Sequence, residues 1–266
     1  MQLSFIGGGT MAEAMITGIV SQNLAAPESI SVSEPIEERC HFLRDKYGVF
    51  TTTNNIKAVE RGTLVILAVK PQILPAVMTE LKGSLTENQT VLSIVAGTRL
   101  IDLIQGLGHN SVIRVMPNTP AQIGQGISVW TCSNQVNTDN QEITRSILDS
   151  LGEQIYVRDE KFLDMATALS ASGPAYVFLF IEALIDSGVH LGMPRELAHK
   201  LTLQTILGST KLVQQRKRHL AELRNDVTSP GGTTAEGLLA LEEGGFRATI
   251  MNAVIAAYER SLELGG

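Results

Sequence analysis

The stretch Phe5-Ile6-Gly7-Gly8-Gly9-Thr10-Met11-Ala12 decides the fold of this 266-residue chain. It follows a short branched apolar run at 3–6 and opens a segment, 11–20, whose apolar residues recur at helical spacing. Strand, glycine loop and helix in that order fit G-x-G-x-x-A, with Gly7, Gly9 and Ala12 in the three key positions. Gly7 permits the tight strand-to-helix turn, Gly9 lets a pyrophosphate approach the backbone, and Ala12 is small enough for the helix to pack on a sheet. Free N–H groups and the positive end of the helix dipole then face the phosphates. The pattern predicts a dinucleotide-binding loop built by Ile6, Gly7, Gly8, Gly9, Thr10 and Met11. Its competitor is a glycine turn that merely packs closely.

Outward from the loop, the same alternation continues. Branched apolar runs at 30–33, 64–69, 91–95 and 112–115 are separated by helix-like segments at 36–47, 73–81 and 100–107. Runs at 127–130 and 155–157 flank a further helix at 138–151. Strands alternating with helices imply a parallel sheet covered on both faces, a doubly wound α/β domain over 1–158. After Asp159 nearly everything has helical periodicity, which predicts an all-α domain over 159–266. Within it, residues 175–191 are apolar around most of the helix circumference, so that helix must be covered on more than one side. A second copy of the chain is the simplest cover, and a homodimer through the C-terminal half is expected.

Bulk properties exclude several classes. The formal net charge is -6, and the one basic stretch, Gln215-Arg216-Lys217-Arg218-His219, is short. Nucleic acid is therefore not an expected partner, since binding it needs a basic surface. The two cysteines, Cys40 and Cys132, lie outside any metal-ligand spacing and indicate a reducing compartment. No metal is expected. The longest apolar run, 175–185, is interrupted by Glu182 and is expected to be too short for a bilayer. With no basic leader at its start, the chain is expected to be soluble and cytoplasmic.

The end of the second strand, where an adenosine ribose is normally met, falls at Ser33-Glu34-Pro35. Glu34 accepts hydrogen bonds from both ribose hydroxyls and repels a 2′-phosphate in one reading, which points to NADH. In the other it caps the following helix, with Pro35 in the first turn. Arg39, one turn on, keeps NADPH open.

Three further segments make the assignment specific. They are Leu67-Ala68-Val69-Lys70-Pro71-Gln72, then Val112-Ile113-Arg114-Val115-Met116-Pro117-Asn118-Thr119-Pro120, then the pair 169–176 and 226–237, the latter containing Ser229-Pro230-Gly231-Gly232-Thr233-Thr234. Together with the glycine loop, these segments resemble the pyrroline-5-carboxylate reductase family from end to end and in the family's order. The resemblance implies a Rossmann-type domain, a helical domain that interleaves with its twin in a dimer, sometimes assembled into a decamer, and NADPH or NADH as cofactor. It implies that Asn55, Ala68, Val69, Lys70, Pro71, Ile94, Val95 and Ala96 line the cofactor, and that Ser229, Gly231, Gly232, Thr233 and Thr234 form the substrate pocket. Glu34 departs from the small polar residue or basic pair of many members.

The implied reaction turns 1-pyrroline-5-carboxylate into L-proline. It needs a hydride on the ring carbon and a proton on the ring nitrogen, so the protein must position the imine and stabilise charge. Thr234, through its hydroxyl, is the expected catalytic group, with Ser229 as an onward proton path. Gly231, Gly232 and Thr233 ahead of a helix at 234–241 would offer N–H groups to the substrate carboxylate. A plain capped helix start, with Thr233 or Thr234 as the cap, is the alternative. Ser172 and Gly173, read as a turn before the apolar helix with Pro174 in its first turn, would close the pocket. A 3-hydroxyacid dehydrogenase would need a lysine on that helix, and 176–191 contains none. A cofactor-binding redox sensor would carry a degraded 229–234 loop, which here is intact.

Overall fold

A computed structural model describes residues 1–265. Its strands are β1 (Leu3–Ile6), β2 (Ile30–Ser33), β3 (Phe50–Thr52), β4 (Leu64–Leu67), β5 (Thr90–Ser93), β6 (Val112–Met116), β7 (Gly126–Cys132) and β8 (Gly152–Tyr156). Between them run helices α1 (Thr10–Ser21), α2 (Glu37–Tyr47), α3 (Asn55–Val59), α4 (Leu74–Leu81), α5 (Leu100–Leu107) and α6 (Thr138–Asp149). After β8 come α7 (Lys161–Ala166), α8 (Gly173–His190), α9 (Arg195–Arg216), α10 (Leu220–Asp226), α11 (Thr233–Glu243) and α12 (Phe246–Leu264).

The eight strands form one sheet in the order β3-β2-β1-β4-β5-β6-β7-β8. Strands β1 to β6 are parallel, whereas β7 pairs antiparallel with β6 and carries β8 parallel to itself. The expected parallel sheet is present over β1 to β6 and becomes mixed at one end. Period-two alternation divides the inner strands between two cores. Leu3, Phe5, Leu64 and Ile66 join Met15, Ile16 and Ile19 of α1 on one face, while Ile6, Val65 and Leu67 join Leu74, Leu81 and Leu103 on the other. The order reverses between β1 and β4, which is where an open α/β sheet leaves a crevice at its strand ends.

The chain divides into two compact units. One compact unit comprises Met1–Pro174 together with Ala257–Gly266, and the other comprises Ala175–Ala256. Where a turn is expected over 170–176, α7 passes through a π turn at Thr167–Ala171 and a bend at Ser172 into α8. The continuous helix Lys161–His190 has 30 residues, and an 18-residue window within it reaches a mean hydropathy of 1.6, long and apolar enough by length and composition to cross a membrane. The run 175–185, expected to be too short for a bilayer, lies within this helix.

Candidate active site

The crevice at the carboxyl ends of β1, β2 and β4 is a groove of about 420 Å³. Gly7 turns the chain out of β1 with φ +101, and its N–H donates to Ser33 O at 2.8 Å. A Cβ there would stand 2.6 Å from Ala68 O, so glycine is required on both conformational and steric grounds. Gly9 has open space where a side chain would project. It is also the N-cap of α1, with no side-chain cap. The first bond of α1 runs from Glu13 N to Gly9 O, at 2.9 Å, so the N–H groups of Thr10, Met11 and Ala12 have no intrahelical acceptor. An open glycine facing uncapped N–H groups fits a pyrophosphate.

Of the residues expected at a cofactor, Gly7, Gly9, Glu34, Asn55, Ala68, Val69 and Lys70 line this groove. The others do not. Ile6 and Val95 are core residues, 1% and 2% exposed. Gly8 is pressed against Glu34, and Thr10 opens onto a separate cavity beside Glu13 and Tyr47. Met11 packs against the core. Pro71 begins the turn leading to α4. Ile94 and Ala96 lie in the segment after β5, where Ile94 N donates to Leu67 O at 3.1 Å.

Glu34 performs a local task that neither sequence reading contained. Its Oε2 accepts from Gly8 N at 2.9 Å and its Oε1 from Ile36 N at 3.2 Å, so the carboxylate fastens the glycine loop while lining the groove. Pro35 lies outside α2, which starts at Glu37. Arg39 is committed elsewhere. Its Nε donates to Gly8 O at 2.7 Å and its guanidinium pairs with Glu13 at 2.6 Å. The opposite wall comes from α4 and its leading turn, through Ile73, Ala76, Val77 and Glu80. Asn55 Nδ2 donates to Glu80 Oε2 at 2.7 Å.

In the helical unit, α11 starts at Thr233, one residue earlier than expected, and runs to Glu243. Its N-cap is Gly232, with no side-chain cap, so neither threonine plays that part. The first helical bond, Glu236 N to Gly232 O at 3.3 Å, leaves the N–H groups of Thr233, Thr234 and Ala235 without an intrahelical acceptor. Gly231 adopts φ +65, and Gly232 N returns to Ser229 O at 3.0 Å. A Cβ on Gly232 would collide with Ser229 Oγ, so the serine hydroxyl sits directly on the glycine pair. Thr234 is half-buried and Ser229 exposed.

Residues 160–264 match the family described as pyrroline-5-carboxylate reductase dimerisation, and residues 2–97 match the one described as NADP oxidoreductase coenzyme F420-dependent. A pyrroline-5-carboxylate reductase of Synechocystis is 42% identical, over 100% of this chain and 98% of its own length. One of Arabidopsis thaliana is 43% identical, over 99% and 95%. The crystal structure of Plasmodium falciparum pyrroline carboxylate reductase with NADP bound superposes with a TM-score of 0.91 at 35% identity, covering 100% of this chain and 98% of that one. The chain belongs to the pyrroline-5-carboxylate reductase family.

For a reductase of this family, two further features bear on the site. Arg114, in the Val-Ile-Arg-Val-Met segment of β6, is wholly buried. It pairs with Glu160 and Asp164, each at 2.7 Å, and Glu160 also accepts from Leu100 N at 2.7 Å. This network pins the base of the reductase's long helix to the sheet. Asn118 braces the same region, accepting from Ile127 N at 2.9 Å while its amide reaches Ser170 at 3.4 Å. Ser172 N bonds to Thr167 O at 2.9 Å, closing the π turn, and Gly173 opens α8 with free space around it. Such π turns often mark functional positions, because the widened turn re-aims the residues beyond it.

Proposed function

We propose that this chain reduces 1-pyrroline-5-carboxylate to L-proline, the last step of proline biosynthesis, using a reduced nicotinamide dinucleotide held at the glycine-loop groove. The observation that carries this reading is the intact Ser229–Thr234 loop in a chain matched over its whole length by reductases of the family. When bound, the nicotinamide supplies the hydride.

The chain's own residues do the rest. The uncapped N–H groups at the start of α11 receive the substrate carboxylate, with Gly231 and Gly232 allowing close approach. The Thr234 hydroxyl orients the ring nitrogen. A protonated imine is already electrophilic, so a positioned hydroxyl suffices and no strong acid is needed. Ser229, beside Gly232, passes the proton onward. Ser172 and Gly173, at the π turn, contribute to closing the pocket. Gly7, Gly9, Asn55, Ala68, Val69 and Lys70 hold the cofactor, and Ile94 and Ala96 complete its border. With Glu34 in the groove and Arg39 engaged by Glu13, NADH is the preferred form. The apolar faces of α8 and α9 are covered by a second copy, giving a homodimer; a decamer of such dimers is the further assembly the family implies. Two free cysteines suit a reducing cytoplasm.

The test follows loss of reduced-nicotinamide absorbance with pyrroline-5-carboxylate as substrate. Wild type should turn over rapidly, and Thr234→Ala should lose about a hundredfold in kcat with little change in cofactor affinity. Unchanged turnover in the variant removes Thr234 from the mechanism. Tight cofactor binding without any turnover by the wild type favours a redox sensor instead.

A further inference from the structure

We infer that Glu80 is a specificity-determining residue. By holding the Asn55 amide, it makes its part of the groove a set of acceptors that takes a ribose with a free 2′-hydroxyl and rejects a 2′-phosphate. The inference rests on the groove being a dinucleotide site and adds a residue that no motif marks.

Local structure does not account for Glu80. It stands in the last turn of the eight-residue α4, where its charge meets the negative end of the helix dipole, and no basic residue there offsets it. It belongs to no ion pair among the described residues; its hydrogen bond is the one from Asn55 Nδ2, at 2.7 Å. A residue that breaks a local rule without local compensation is expected at functional sites.

The bond has a consequence for Asn55. An asparagine amide has a donor end and an acceptor end, and a carboxylate against one end fixes which is which. Glu80 engages one N–H of that group and so fixes its direction, leaving Oδ1 as the acceptor end that Glu80 does not touch. The groove then offers Asn55 Oδ1 and the two carboxylates of Glu34 and Glu80, all acceptors. Ribose hydroxyls donate to such a set. A 2′-phosphate brings only acceptors and roughly 1.5 to 2 negative charges. Arg39 of α2 is already taken by Glu13 and Gly8 O, and Lys70 is the single basic residue lining the groove.

Titration calorimetry with ADP-ribose and its 2′-phosphorylated form reads the preference without catalysis. Specificity constants for NADH and NADPH then read it in turnover. Wild type should prefer the unphosphorylated form in both. Glu80→Ala should move the ratio about tenfold towards the phosphate, as Asn55 becomes free to present its NH2 group. Glu80→Gln, which still accepts from Asn55, should shift it less. Asn55→Ala added to Glu80→Ala should abolish most of the gain, because the two residues act as a unit. An unchanged ratio in Glu80→Ala overturns the inference, as does a gain that survives the loss of Asn55 or a wild type that prefers the phosphate. A wild type that binds neither probe overturns the dinucleotide reading itself.

Discussion

In the sheet unit, β1, β4, β5 and β6 are buried at every residue, and their side chains fill two cores within one chain. In the helical unit, the 18 residues of α8 bury only Ile185 and the 22 of α9 only Ala198, while Phe178 and Leu179 stand 63% and 67% exposed. Fully covering side chains of that size is worth about 1.5–3 kcal/mol each, and a single chain leaves this unrealised. The sheet unit has the means to hold its fold alone. The helical unit matches a family described by dimerisation, and in the proposed homodimer a second copy would cover these faces.

The largest effect should come from attacking the open face. Phe178→Glu places a carboxylate where a partner helix is expected, and an unpaired charge buried there costs about 3–5 kcal/mol. That corresponds to more than a hundredfold in the dimer dissociation constant. Sedimentation should show monomers, with activity lost in parallel and the sheet unit still binding cofactor. A variant that stays dimeric and active would break the contrast between the two units.

Next in size is a change inside the self-sufficient unit. Gly7→Val forces a β-branched residue to φ +101 and drives its Cβ against Ala68 O, a backbone atom with little room to move. Strain of this kind costs about 1–3 kcal/mol. Cofactor affinity should fall steeply while the oligomeric state stays the same. Loss of the dimer in this variant would mean that the two units do not stand apart energetically.

The contrast also explains what the sequence made legible. Strands β1, β4, β5 and β6 announce themselves because full burial demands continuous branched apolar runs. Strand β3, three half-buried or exposed residues, and the five-residue α3 carry too little pattern to register. The reversal of β7 left a trace that went unused. Only the nine residues between Met116 and Gly126 separate β6 from β7, too few for the crossover that parallel neighbours require. The glycine loop and the 229–234 loop were legible because each packs its chemistry into consecutive residues. Glu80 was not, since α4 reaches the groove only through the tertiary fold. Arg114 was hidden for the same reason, with its partners 46 and 50 residues further along the chain.

The smallest effect sharpens the comparison at a polar contact of the sheet unit. Burial by itself would raise the Glu13 carboxyl, but hydrogen bonds from Lys46, Arg39 and Tyr47 outweigh it and bring its pKa down to about 2. A folded pKa below the unfolded value, near 4.5, means the stabilisation is complete above that value and fades as pH falls towards 2. Wild type should therefore exceed Glu13→Gln in unfolding free energy by on the order of 1 kcal/mol near pH 7, and the gap should narrow near pH 3. A gap of equal size at both pH values would place the effect in packing rather than charge. The same variant frees Arg39, which also donates to Gly8 O. A looser glycine loop should then weaken cofactor binding a few-fold while the dimer is untouched, because every partner of the Glu13 carboxylate lies on α2 of the sheet unit.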